Sequence, residues 1–417
     1  MVGLNNYFYS FGVLFFKICL FLILLFGAIQ NLCSQTDSTI VLGSIESELE
    51  KQQVPIDLGD TPKTMAAVVG KAIKIHGGLR LSSPRESRFS ATFSSQGGNS
   101  VQVSISSGSP KRKTSTYSFT ESEIQLSISK ACDRMVKDIL RIPGFFSGRL
   151  CFLSSVSGKK EIFVADALMT SARPQTSFGK ITFNPSWDNQ GQGIFFTSNR
   201  QVFNNVFYLN LTNRKVSTIA NYRGSNLRAV QNPRSNQIAL ILSTSGNPEV
   251  WLATSPTSKP SRLTRNRSNE SGPSWSSDGR RLLVTSDSRG KPQIYEVSVS
   301  SGQLTRIPTN VSSHCTEPNW NPLDSSKFAF TAAVSSGFQV CEYDFSSRKT
   351  RILTQGTNHS MQPCWASDGR HLYFTERSVS GSTRIMILDT ELDGARPIPL
   401  HGTSFGNCSQ VSFYYPN

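Results

Sequence analysis

The pentapeptide GTSFG (Gly402–Gly406) has the G-x-S-x-G spacing of a serine nucleophile elbow. An elbow needs a strand before it, a helix after it, and an acid and a histidine further along the chain. Only 11 residues follow Gly406, and none is Asp, Glu or His. The spacing is therefore accidental. The five histidines are His76, His314, His359, His371 and His401. His314 and His359 each stand just before a Pro-x-Trp triplet, in loops that a repeat would gather at one mouth. A metal there would need further ligands at matching places, where the chain offers Asn269 and Glu270 or Gly224. These loop residues read instead as the border of a binding surface. Eight cysteines occur without a C-x-x-C pair, which argues against zinc. Cys364 and Cys408 fall near equivalent places and could pair in an exported chain, or remain buried thiols. No P-loop or dinucleotide fingerprint is present. No catalytic residue, cofactor or metal is expected.

The elements that must position these loops announce themselves by repetition. Trp187, Trp275, Trp320 and Trp365 share the pattern Pro-x-Trp, two of them followed by Ser-Asp-Gly. The gap between the first two is a double period, with a degenerate copy in NLRAVQNPRSNQIALIL and Val230 in the Trp place. An apolar strand follows each copy: RLCFLS, GIFFTS, QIALIL, RLLVTS, KFAFTA and HLYFTE, roughly 44 residues apart. A third series (EIFVAD to RIMILD) and a weaker fourth complete four short strands per period. This predicts a mainly β fold, a six-bladed β-propeller, preceded by an N-terminal α/β domain. The first period lacks a Pro-x-Trp strand and the chain's last segment, NCSQVSFYYPN around Gln410, supplies one. That C-terminal strand should close the ring. The tryptophans then fill the wedges between sheets, and Asp-Gly makes a tight turn. What differs between copies becomes informative: RNRSNES, VSSHCTE and GTNHSMQ, the loops before the inner strands.

Domain boundaries follow at 1–33 for a signal peptide, 34–142 for the α/β domain and 143–417 for the propeller. Lys17 precedes the apolar run Ile18–Ile29, which fits a signal peptide and is short for a membrane span. Cleavage is expected between Ala28 and Gln35. In the α/β domain, STIVLGSIE, RFSATFSS and SVQVSISS read as strands and PKTMAAVVGKAIKIHGG as a helix stopped by Gly77-Gly78. TESEIQLSISKACDRMVKDILRIPG reads as a second helix, capped by a Thr120/Glu123 box and buried along Ile124, Ile128, Ala131, Met135 and Ile139. The net charge of +15 leaves open a module that binds anionic envelope polymer. No Lys/Arg block is longer than PKRK at Pro110–Lys113, and the aromatics sit in strand patterns, so nucleic acid is not expected as a partner.

The order of α/β domain, capped helix, Pro-x-Trp repeats and closing strand resembles the TolB family of the Tol-Pal envelope system. The carrying segments are PSWSSDGRRLLVTS, EPNWNPLDSSKFAFT, PCWASDGRHLYFTE and, at the junction, SISKACDRMVKDILRIPGFFSGRLCFLS. The resemblance implies a periplasmic, monomeric, non-catalytic adaptor, with no membrane insertion after signal cleavage. It implies binding of the lipoprotein Pal at the channel face and a link to the inner-membrane protein TolA. A family contact motif, Thr-Glu before Pro-x-Trp, matches Thr316-Glu317. By blade counting it stands one blade later than the family's position, where this chain reads Ser271-Gly272. The candidate partner-binding residues are thus Asn269, Glu270, Ser271, His314, Thr316, Glu317, Asn358 and His359. A propeller enzyme remains the alternative reading.

Overall fold

The computed structural model describes residues 53–335 and 337–416. The signal-peptide reading and the STIVLGSIE strand lie outside these residues. Six four-stranded antiparallel sheets succeed one another along the chain. Their inner strands are Cys408–Tyr414 in blade 1, Thr182–Trp187 in blade 2 and Asn226–Gln231 in blade 3. Blades 4, 5 and 6 follow with Glu270–Trp275, Cys315–Trp320 and His359–Trp365. Cys408–Tyr414 pairs with Arg149–Ser154, so the C-terminal strand closes the ring and covers an edge that would otherwise seek a partner.

The tryptophans show why the motif recurs. All four are nearly buried, and their rings join neighbouring blades. Trp187, Trp275 and Trp365 donate the indole N–H to the carbonyls of Ser412, Val230 and Asn319 in the preceding blade, at 3.2, 3.0 and 3.2 Å. The main-chain N–H groups of Trp187, Trp320 and Trp365 are taken by the side chains of Ser412, Ser274 and Asn319. Trp320 differs in turning its indole N–H to Ser325 in its own turn, at 3.0 Å. Gly279 and Gly369 make the Asp-Gly turns at φ +70° and +65°, a region that favours glycine.

Register corrects the spacing argument in two blades. Trp187 pairs with Ile194 and Trp275 with Leu282. Their counterpart Ile238 pairs with Gln231, so Gln231 and not Val230 takes the Trp place in blade 3. In blade 1 the place belongs to Phe413, opposite Leu150. Gln231 stands 44 residues from both Trp187 and Trp275, so an even count reaches it, whereas Phe413 lies 48 residues beyond Trp365 because a longer loop, residues 390–397, joins the third and fourth strands of blade 6. Every inner strand also carries a bulge, between Ser271 and Ser274 in blade 4 and between Asn226 and Arg228 in blade 3.

Before the ring, helix α1 (Lys63–His76) and helix α2 (Ile124–Leu140) pack with a five-stranded sheet. Its strands are β1 (Val54–Asp57), β2 (Leu79–Leu81), β3 (Phe89–Ser95), β4 (Ser100–Ser107) and β5 (Arg112–Thr120), in the order β2-β1-β3-β4-β5. Gly77 ends α1 at φ +75°. The expected capping box on α2 is not formed: Thr120 belongs to β5, where its hydroxyl reaches Ser100, and Glu123 at the N-cap makes no side-chain cap bond. Ile128, Ala131, Met135 and Ile139 are buried, while Ile124, at the first turn, is exposed. Lys111, in the basic run, pairs with Asp57.

One core runs from this α/β unit into blades 1 and 6 through Phe145, Phe146, Tyr373 and Leu400. Buried Asp133 of α2 fastens the junction. It accepts from Phe146 N (2.6 Å), Ser147 N (3.0 Å), Ser147 Oγ (2.6 Å) and Tyr415 Oη (3.0 Å). Burial outweighs these donors and pushes its carboxyl up to about 6. Among the described residues, every hydrogen bond or ion pair from the α/β unit to the propeller goes to blade 1, blade 6 or the lead-in at Phe146–Ser147.

Candidate functional site

Each inner strand runs from a long connecting loop to a tight turn of the Asp-Gly kind, so the propeller has a loop end and a turn end. The loops before the inner strands and the hairpins between second and third strands share the loop end. Seven of the eight candidate residues sit there, all but Glu317. Asn269 is exposed and grips Asp287 in the adjoining hairpin through its N–H and Nδ2, at 2.8 and 2.7 Å. Ser271 is exposed beside it. Glu270 is turned inward and only 1% exposed, accepting from Thr264, Asn266 and Ser286 at 3.0, 3.0 and 3.2 Å. Burial pushes its carboxyl above the usual range. It supports the loop rather than the surface.

The two loop histidines are brought together by a residue that the repeat did not reveal. Phe338, in the blade 5 hairpin, lies 5.5 Å from the His314 ring and 5.7 Å from the His359 ring. His359 Nδ1 accepts the Phe338 N–H at 3.1 Å and so fixes the hairpin. Asn358 adds its carbonyl, which accepts from Gln339 Nε2 at 3.1 Å. Thr316 is half-buried opposite Thr331. Val202 and Phe203, on the blade 2 hairpin, are 81% and 72% exposed. They are a two-residue apolar patch between polar Thr197–Gln201 and Asn204–Asn205, and the repeat gave no reason to single them out.

Glu317 lies deeper, in the channel. The position three residues before the Trp place lines the channel in every blade: Asn184, Arg228, Gly272, Glu317, Gln362 and Gln410. All but Arg228 have positive φ, set by the bulge. The channel encloses about 530 Å³. Its lining offers one carboxylate, Glu317, and no histidine among the described residues.

The residues best able by type to hold a metal lie elsewhere, at the junction with the α/β unit. His76, His371 and Asp389 are buried and offer ligand atoms within 4.8 Å of one another. Both His371 nitrogens are already engaged, Nδ1 by Asp368 at 2.5 Å and Nε2 by the His76 carbonyl at 2.7 Å. Arg370 holds both Asp389 oxygens at 2.7 Å. Burial opposes a charged His371, but the Asp368 carboxylate outweighs it and raises the imidazole's pKa. His371 and Arg370 thus lie between the Asp368 and Asp389 carboxylates, with both His371 nitrogens facing acceptors. The three members are far apart in sequence, so only the fold reveals the cluster.

The other sequence features resolve simply. GTSFG forms a single 3₁₀ turn, Thr403–Phe405, leading into the closing strand. Cys132, Cys151, Cys315, Cys341, Cys364 and Cys408 are all free thiols, and Cys364 and Cys408 do not pair. No helix among the described residues is long and apolar enough to cross a membrane.

These features define a closed six-bladed β-propeller with an attached α/β unit, a polar channel and one crowded mouth. A profile of the TolB beta propeller domain matches residues 136–407, and the chain belongs to that family. A relative named Tol-Pal system protein TolB, from Francisella tularensis subsp. tularensis (strain WY96-3418), is 28% identical over 229 residues, 54% of this chain and 51% of that one. One of the same name from Desulfosudis oleivorans is 28% identical over 138 residues, 33% of this chain and 31% of that one. The alignments thus span about half or less of these relatives' lengths. The crystal structure of TolB from Acinetobacter baumannii superposes with a TM-score of 0.75 at 17% identity, over 87% of this chain and 96% of that one. That likeness is one of fold.

Proposed function

We propose that this chain is a non-catalytic periplasmic adaptor of the Tol-Pal type. Its signal segment, residues 1–33, is removed; residues 34–142 form the α/β domain and 143–417 the propeller. The loop-end mouth binds a Pal-like peptidoglycan-associated lipoprotein. The α/β domain links to a TolA-like inner-membrane protein, in the service of outer-membrane integrity and constriction during division. One observation carries the reading beyond family membership: the α/β unit's bonds to His371 and Tyr415 lie at the turn end of blades 6 and 1, away from the loop-end mouth, which stays available to a partner. Polar Asn269, Ser271 and Thr316 and the His314–Phe338–His359 row suit a protein surface, where aromatic anchors within a polar rim supply affinity.

Mild crosslinking and capture from envelope extract, followed by calorimetry with the soluble domain of a Pal-like lipoprotein, tests this. Saturable binding that persists at moderate salt is expected. Binding that collapses between low and moderate salt would favour a basic polymer-binding module instead, since exposed charge contacts are screened.

A further inference from the structure

The six channel residues are tied across every seam between blades but one. Gln410 Oε1 accepts the Asn184 N–H at 2.6 Å, and Asn184 Nδ2 donates to the Leu227 carbonyl at 2.8 Å. Glu317 N–H donates to Thr285 Oγ1 at 3.1 Å. Glu317 Oε2 accepts from Gln362 N (3.0 Å) and Thr331 Oγ1 (2.8 Å). Thr375 Oγ1 donates to Gln362 Oε1 at 2.9 Å and accepts the Gln410 N–H at 3.1 Å. The remaining seam, between blades 3 and 4, carries Arg228 and Gly272.

Arg228 lines the channel, yet its Nε is buried without a hydrogen-bond partner. Its guanidinium joins no ion pair among the described residues. Gly272, the matching position of the next blade, brings no side chain to answer it, and a Cβ there would face Glu317 and Pro318 of blade 5 at ordinary van der Waals distance. Glu317, two blades on, gives one oxygen to Gln362 and Thr331 and acts on Arg228 through its charge alone, without an ion-pair contact. Arg234, the other arginine of the lining, is spent on the Ser277 carbonyl at the turn end, at 2.8 Å. Two arginines against one carboxylate leave the channel positive. A guanidinium N–H withdrawn from water without an acceptor is costly, and the group's planar fork fits two oxygens of one oxyanion.

We infer that Arg228, beside Gly272, is an oxyanion receptor within the channel, taking a carboxylate or phosphate group. The inference stands whether or not the partner-binding reading holds. The oxyanion comes either as a free small anion or as a carboxylate carried on a partner protein.

The test uses the full mature chain at low ionic strength, titrated with acetate and with inorganic phosphate against chloride controls. Wild type should bind at least one probe saturably, with a rise in Tm as the ligand accumulates. Arg228→Gln should weaken that binding about tenfold or more while the ligand-free Tm stays within a few degrees, and Arg228→Lys should recover part of it. Competition between acetate and the Pal-like domain in wild type, absent in Arg228→Gln, would assign the oxyanion to the partner. Probe binding without competition would assign it to a free anion. Wild type and Arg228→Gln that bind the probes alike, or a wild type that binds neither, would overturn the inference. Failure of the Pal-like domain to bind leaves the acetate and phosphate arms unaffected, so the two readings fail separately.

Discussion

Blade 4 carries one acid at each end of its inner strand, and the two live in opposite surroundings. At the turn end, Asp278 accepts from Ser276 Oγ (2.5 Å) and Arg280 N (3.0 Å), and these bonds hold its carboxyl below the usual range. Blade 6 repeats the arrangement with Asp368 and the N–H groups of Arg370 and His371. At the loop end, Glu270 is buried among hydroxyl and amide donors and pushed the other way. The turn end is a brick repeated with small variation, each acid spent on its own turn. The loop end is different in each blade, and there the proposed partner would be read. Repetition marks what builds the ring.

Deleting the chain from Cys408 onward should break the account of the repeated part most severely. Blade 1 would lose its inner strand and expose an edge. The cooperative unfolding transition should disappear from calorimetry, and a truncated chain that still unfolds cooperatively would show that the closure is dispensable. Trp275→Ala comes next. A buried aromatic truncated to Ala costs roughly 3–5 kcal/mol, read by urea unfolding, and the bond to the Val230 carbonyl goes with it. Partner affinity of the folded fraction should remain.

A smaller effect sharpens the contrast between the two acids. Glu270, with its folded-state pKa raised, contributes stability that is present below the unfolded value and is lost as pH rises through the folded one. Asp278, with its pKa lowered, contributes stability that is present above the unfolded value and is lost as pH falls through the folded one. Glu270→Gln should therefore flatten the decline toward neutral pH, and Asp278→Asn should flatten the decline into acid. Unfolding followed from pH 3 to 7.5 separates them. Matching pH profiles for the two variants would erase the distinction between the ends.

The blades were legible because a strand, a turn residue and a large aromatic recur together, and packing between sheets needs all three at fixed intervals. The Trp place of blade 3 was set one residue early, at Val230, because Gln231 is polar where other copies are aromatic, and Phe413 was passed over because the longer loop at residues 390–397 shifts the last copy. The channel positions, from Asn184 and Arg228 to Gln362 and Gln410, share no common residue type and so did not stand out as a set. In the α/β unit, β1, β2 and β5 were not read. Two of them are short, and RKTSTYSFT is a polar strand whose alternation shows only once β4 lies beside it. Thr120 suited a helix cap by type, but pairing with Ser100 held it in the sheet. At the mouth, His314 and His359 were found from their equivalent loops, whereas Phe338 required the hairpin that folds between them.

The most direct test of the loop end as the partner surface is the affinity of a Pal-like lipoprotein domain for Phe338→Ala beside wild type, with Tm measured on the same samples. The account predicts an affinity loss of about tenfold or more, the scale of an interface anchor, with only a modest fall in Tm. Unchanged affinity in a folded Phe338→Ala protein, and again in His314→Ala, would contradict it.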